Sequence, residues 1–330
     1  MKPLLPAFSS RLGLFTALAS VVLPVHCFAQ SAWSGSADNE FSNSSNWTPS
    51  APGAGDTAIV DAGSPQVTND VAVGHLDVDG GAVTITSTGA LNTTSDTTIS
   101  SGSVSINAGG ALNSDVSLDG GSLSVDGHLN GRLRLNNGNV TVNGALGSAV
   151  IGTGTALSNN GATGEANVSA GGTFINNSGA TVGTVINAGT TSNAGTVGSL
   201  TNTAGTFTNN SGGTVTGKTT VSGGTVTNNF VITEADVAAV AAFVNNRGAT
   251  AGTIRNSGTV TNAGTVASLQ NDAGTFTNNA GGVVTGSTNI GGGEVTNNAS
   301  LNDVNVGAGG TFANTSGATA GAVTNAGIAS

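Results

Sequence analysis

Gly172-Thr-Phe-Ile-Asn-Asn-Ser-Gly-Ala-Thr-Val-Gly183 returns 69 residues later as Ala241-Ala-Phe-Val-Asn-Asn-Arg-Gly-Ala-Thr-Ala-Gly252. It returns after 69 more as Gly310-Thr-Phe-Ala-Asn-Thr-Ser-Gly-Ala-Thr-Ala-Gly321. The same register lays Gly205-Thr-Phe-Thr-Asn-Asn-Ser-Gly-Gly-Thr-Val-Thr-Gly217 over Gly274-Thr-Phe-Thr-Asn-Asn-Ala-Gly-Gly-Val-Val-Thr-Gly286. A gapless fixed period marks units that bury their apolar faces by stacking on their neighbours. The stretch therefore predicts a rod, which presents surface rather than enclosing a reaction chamber. Within it, Phe174, Phe207, Phe243, Phe276 and Phe312 are spaced 33, 36, 33 and 36 residues apart. Each interval is expected to hold two short rungs. Phe would fill a wide point of the core at alternate levels, with Val, Ile or Leu between. Asn-Asn pairs at the turns are expected to stack into hydrogen-bonded amide ladders.

Toward the N-terminus the same texture continues less regularly. Ala82-Val-Thr-Ile-Thr86, Ser103-Val-Ser-Ile106, Ser122-Leu-Ser-Val125 and Asn139-Val-Thr-Val142 alternate apolar and polar residues between Gly-Gly, Asn-Gly or Asp-Gly punctuation. Such segments are too short for stable hairpins and never lengthen into sandwich strands. The expected fold is all-β: a single-stranded parallel β-helix (solenoid) with an N-terminal cap. At about 4.8 Å per rung it would be a rod of roughly 70–85 Å. One unit departs from the pattern. Thr233-Glu-Ala-Asp-Val-Ala-Ala-Val-Ala-Ala-Phe243 has an N-cap and acids suited to a helix start. It nonetheless aligns without gaps on Gly164–Phe174 and Asn302–Phe312, so it reads as a rung that has lost its turn glycines.

Composition supports thin, close-packed layers. Of 330 residues 53 are Gly, 37 % are hydrophobic, 7 % are charged and none is Tyr. The long flexible side chains, costly to order, are the depleted ones. Residues 1–29 are expected to be a cleaved signal peptide: Lys2 and Arg11 precede the apolar Leu12–Val25 run, and Cys27-Phe28-Ala29 offers small residues at the cleavage positions. His26 stands where a lipoprotein signal would have a small residue, so Cys27 is not read as a lipidation site. Cleavage would remove the only cysteine and leave five basic residues against 17 acidic ones, a formal charge near −12. That surface repels nucleic acid, which is excluded as a partner. Residues 30–66, with both tryptophans and three of the six prolines, read as the N-terminal cap. Residues 67–165 read as irregular rungs and 166–330 as rungs with the 69-residue repeat.

Trp33-Ser-Gly, Asn46-Trp47, Pro52-Gly53 and Gly55-Asp56-Thr57, followed by glycine-rich Gly-Thr-Phe and Asn-Ala-Gly-Thr-Val units, resemble the passenger domains of bacterial autotransporters. The resemblance covers nearly the whole expected mature chain. It implies a right-handed β-helix, export through the inner membrane, and display at the cell surface, the outer membrane or outside the cell. An adhesive or structural role, with virulence, goes with it. The implied partners are host or neighbouring-cell surface glycans or proteins, and an outer-membrane translocator barrel in cis. No aromatic-girdled, ten-residue alternating strands are found here, and Ser330 falls within what reads as another repeat. The expectation is an incomplete chain or a separated passenger.

Chemistry-bearing residues are sparse, and no catalytic, cofactor-binding or metal-binding residue is assigned. Asp61-Ala-Gly-Ser64-Pro65 lacks the Gly-Asp-Ser-Gly run of serine-protease passengers and reads as a turn after a strand. The alternative function is a β-helical polysaccharide-active enzyme with a site near residues 75–134, where Asp77 and Asp79 share a strand face and Asp126, His128, Arg132 and Arg134 lie close in sequence. Outward solvated residues flanking a glycine turn are the preferred reading of that cluster. Asp77-Val-Asp-Gly-Gly81 offers oxygens for one weak calcium ion, without the recurring nonapeptides of a calcium roll. Thr-x-Thr steps such as Thr84-Ile-Thr86 and Thr225-Val-Thr227 suggest ice binding, for which a flat, unbroken Thr ladder would be expected, and the 33/36 alternation argues against it.

Overall fold

In the computed structural model, residues 29–330 are described, and residues 1–28 of the expected signal segment, with Lys2, Arg11 and Cys27, lie outside them. The chain winds through about 16 turns of stacked parallel strands, with 63 % of it in strand. No α-helix occurs among the described residues.

From residue 173 to 278 each coil has a four-residue strand and a longer one, as in Thr173–Asn176 followed by Thr181–Asn187. The longer strand is bent. Thr181 pairs with Thr196 and Val182 with Val197, then the ladder skips to Thr184 and Ser199. Gly183 occupies the skipped position, where a Cβ would come within 2.5 Å of the Gly164 carbonyl oxygen on the coil below. That close approach is one source of the high glycine content. Three pairing segments per coil give the rod three long faces.

The Phe rhythm resolves into coils of 17, 16, 19 and 17 residues, because Phe174 stacks on Thr191, Thr191 on Phe207, Phe207 on Val226 and Val226 on Phe243. Two coils per Phe interval are thus observed. Val226, Val260 and Val295 fill the alternate levels, all buried. Thr191 is the polar exception, its hydroxyl donating to Asn187 Oδ1 at 2.9 Å. The differences in coil length fall in the turns and in a one-residue bulge near Gly217–Lys218, never in the short strands.

The Asn-Asn pairs form ladders, but only half of each pair sits where a turn residue would. The first Asn closes the short strand and points inward. From Asn159 through Asn176, Asn193, Asn209, Asn228, Asn245, Asn262, Asn278 and Asn297 to Asn314, each side-chain amide donates to the next at 2.8–2.9 Å. A buried amide left unpaired costs about 1–3 kcal/mol, and here the stack supplies every partner. The second Asn stays outside, as in the Asn177-to-Asn160-to-Asn143 series.

The departing unit is a rung: strand Val231–Val237, a turn, and strand Ala242–Asn245 in register with its neighbours. Local helix propensity yields because a helix would forfeit two parallel ladders and expose the Phe243 layer. Elsewhere the punctuation misled. Strand His75–Ile85 runs through Asp79-Gly80-Gly81 with register shifts in place of a turn.

The cap holds the one antiparallel ladder among the described residues, Ala32 with Thr48 and Trp33 with Trp47. Trp47 meets Phe41 edge-on with ring centroids 4.8 Å apart, and its Nε1 donates to the Phe41 carbonyl at 2.7 Å. Buried Asn46 accepts from the Ala37 and Asp38 amides and donates to Asp38 and the Glu40 carbonyl, satisfying the loop's polar atoms. Strand Gln30–Trp33 then stacks on Thr57–Val60, the first full rung.

Candidate functional site

The residues singled out between 75 and 134 are distributed along the rod. His75 and Asp77 project from the start of strand His75–Ile85, and Asp77 heads a column that continues in the second half of the long strands on later coils. His75 Nδ1 lies 2.7 Å from Asp96 Oδ1 on the next coil. Partial burial pushes the Asp77 carboxyl above its usual range, His75 opposes this, and the charges of Asp79 and Asp61 add to it. Arg134 occupies the same column as Asp77, reached through Thr98 and Ser117. Three coils of about 4.8 Å put roughly 14 Å between them, too far for joint action on one bond. Asp126 sits in a turn, exposed, accepting from Asn143 Nδ2 at 2.7 Å. With His128 it borders an open groove floored by Gly127 and Gly144, which neither Arg132 nor Arg134 lines. The Gly131 bend separates His128 from both arginines, and the ladder shifts register there. The structure does not gather these side chains into one site. Asp61-Ala-Gly-Ser64-Pro65 is a turn after strand Thr57–Val60. Among the described residues no three His, Cys, Asp or Glu side chains are grouped to hold a metal, Asp61, Asp77 and Asp79 included.

Sorting by face is what the structure adds. Asp77, Asp115, Arg134, Glu165, Glu234 and Arg255 project from the second half of the long strands. Lys218 pairs with Asp236, and Arg255 Nε with Asp272 Oδ2 at 2.7 Å. The hydrogen bond to Asp236 and its charge hold the Lys218 ammonium above the usual lysine range. These are surface pairs, each worth about 0–1 kcal/mol. They mark a solvated side rather than a binding centre.

The short-strand face has the opposite character. Its outward positions from Ala82 to Ala313 carry a single charge, Glu294. Most are Ser or Thr. Thr206-Phe-Thr208-Asn209 stacks on Thr225-Val-Thr227-Asn228, residue on residue. Thr259-Val-Thr261-Asn262 stacks likewise on Thr275-Phe-Thr277-Asn278, with Ala242 and Val244 on the coil between the two blocks. An unbroken threonine ladder is absent, as expected, but the interruption comes from Ala242 and Val244 and not from the 33/36 alternation. Spacing along the chain counts the turns, whereas the ladder is set by the strands, and their register is unbroken. A recurring Thr-x-Thr-Asn tetrapeptide was the sequence signal for this face. The eight threonine hydroxyls of the two blocks have no protein hydrogen-bond partner among the described residues. Behind them lie the Phe/Val column and the amide ladder, so the face has a rigid backing.

At the far end, the coil at Val323 and Ile328 leaves both side chains exposed, 44 % and 65 %, above the Phe312 layer. Comparison of the chain with protein-family models, with curated proteins and with solved structures finds no match.

Proposed function

We propose that this protein is an exported rod of the autotransporter-passenger kind, secreted or displayed on a bacterial surface, that works by adhesion or as a structural element rather than by catalysis. The observation that supports it most directly is the segregation of side chains along the stacked turns: the charges collect on the long-strand face, while the short-strand face carries mostly small hydroxyls. Extended faces of constant chemistry suit attachment to extended partners, such as host or neighbouring-cell glycans and proteins. Export rests on the Lys2, Arg11 and Leu12–Val25 pattern, and a translocator barrel in cis would complete the display.

Beads coated with the purified protein test the reading. Binding to cells and matrix well above albumin-coated beads is expected. Binding no better than albumin, together with reducing-end release from acidic polysaccharides that is lost in Asp126→Ala, would transfer the case to the enzyme alternative.

A further inference from the structure

We propose that the short-strand face, over strands Thr206–Asn209, Thr225–Asn228, Thr259–Asn262 and Thr275–Asn278, binds the surface of ice. The proposal names one partner for the adhesive rod and rests on that reading.

Consecutive coils repeat at about 4.8 Å, and outward residues two apart on a strand are roughly 6.7 Å apart. Each block therefore presents four outward threonines, two on each of two coils, held residue over residue by a shift-free ladder. Ice is a solid whose water oxygens also repeat on a grid of a few ångströms. A rigid grid of matching scale holds its first water layer in crystal-like order, and that layer can merge with the solid. A mobile grid would lose the match and the entropy of ordering. Here the inward Asn of each strand is tied to its neighbours above and below, which fixes the strands under the threonines.

The face also matches ice in charge. Ice presents no charged groups, and ionised side chains draw water into radial shells that oppose a lattice. The face avoids charge along its length apart from Glu294, while acids and bases sit on the long-strand face. The hydroxyls are free for water because no protein acceptor or donor engages them. Sugar polymers are the less favoured partner: rings that would stack on sugars are missing from the outward positions of this face, where the four strands offer only threonine. The Ala242/Val244 coil interrupts the hydroxyls but retains methyl groups of similar shape.

The test is partition into ice. Fluorescently labelled full-length protein is frozen slowly from dilute solution beside labelled albumin, and the protein in the ice fraction is measured. Three variants are compared: Thr206→Lys and Thr259→Lys on the proposed face, and Thr253→Lys on the charged face, all exposed positions. The expected result is enrichment over albumin, cut about tenfold or more by either face substitution and unchanged in Thr253→Lys. Circular dichroism identical among the variants confirms that the fold is kept. Wild-type protein excluded from ice like albumin overturns the proposal, and so does equal partition of all variants. The bead assay is read separately, so adhesion to cells without ice partition removes this inference and leaves the adhesive rod standing.

Discussion

Replacing Asn228 by alanine removes one amide from the middle of the buried ladder, and the structure fixes what is lost. Nδ2 donates to Asn245 Oδ1 at 2.8 Å and to the Thr250 carbonyl at 3.0 Å. Oδ1 accepts from Asn209 Nδ2 at 2.9 Å and from the Phe230 amide at 3.2 Å. Asn209 keeps two acceptors, the Gly213 and Val231 carbonyls, so its loss is small. Asn245 Oδ1 is left facing a hole. Four bonds at about 1 kcal/mol each, less the part Asn209 recovers, predict a loss of roughly 3–4 kcal/mol. Because each coil touches only its neighbours, the damage should be local. Urea unfolding followed by circular dichroism gives the total, and hydrogen exchange read by mass spectrometry gives its distribution. Protection should fall around strands Thr206–Asn209 to Thr259–Asn262 and hold in strands near Ser122–Val125. A loss below about 1 kcal/mol, or a uniform fall in protection, would refute the ladder as a locally stabilising element.

Other perturbations follow from the same geometry. Thr219 is fully buried with an unpartnered hydroxyl, so the isosteric Thr219→Val should stabilise the rod by about 1–2 kcal/mol and raise its melting temperature. Gly224 has φ +65° and a Cβ there would lie 2.2 Å from the Gly205 carbonyl oxygen, with Gly293 repeating both features; Gly224→Ala should cost at least about 2 kcal/mol in urea unfolding. Asp77 binds its proton more tightly folded than unfolded. Its contribution is therefore most favourable below the ordinary value of 3.8 and declines as pH rises through the higher folded value. Asp77→Asn should gain stability relative to wild type at neutral pH, with the difference closing in acid, as read from melting curves across pH.

Much of the architecture was legible because repetition in sequence is repetition in space. The gapless alignment of Thr233–Phe243 on its sister units overruled a local helix signal, and strands Val231–Val237 and Ala242–Asn245 bear this out. The five Phe positions disclosed two coils per interval. What escaped was orientation. Asn176 and Asn177 look alike in the sequence, yet one closes a strand on its inward phase and the other begins a turn, so they enter different ladders. The threonine grid was hidden by turns of unequal length, which shift residue counts without shifting strands. The cluster at 126–134 looked compact in sequence only because the Gly131 bend, which turns its halves onto different faces, carries no distinctive residue pattern.

The 69-residue unit comprises four complete coils, so its ends coincide in phase: Phe243 stands over Phe174 with the amide column aligned. Gain or loss of one unit by recombination between the gaplessly aligned repeats would join a coil to one of the same kind. The molecule would change length by about 19 Å, four coils of 4.8 Å, and remain a sound fold. Any other increment would bring the bulge at Gly217–Lys218 against the wrong neighbour. Length in this protein is thus quantised, and variation in reach is open to it in steps that leave every face as it was.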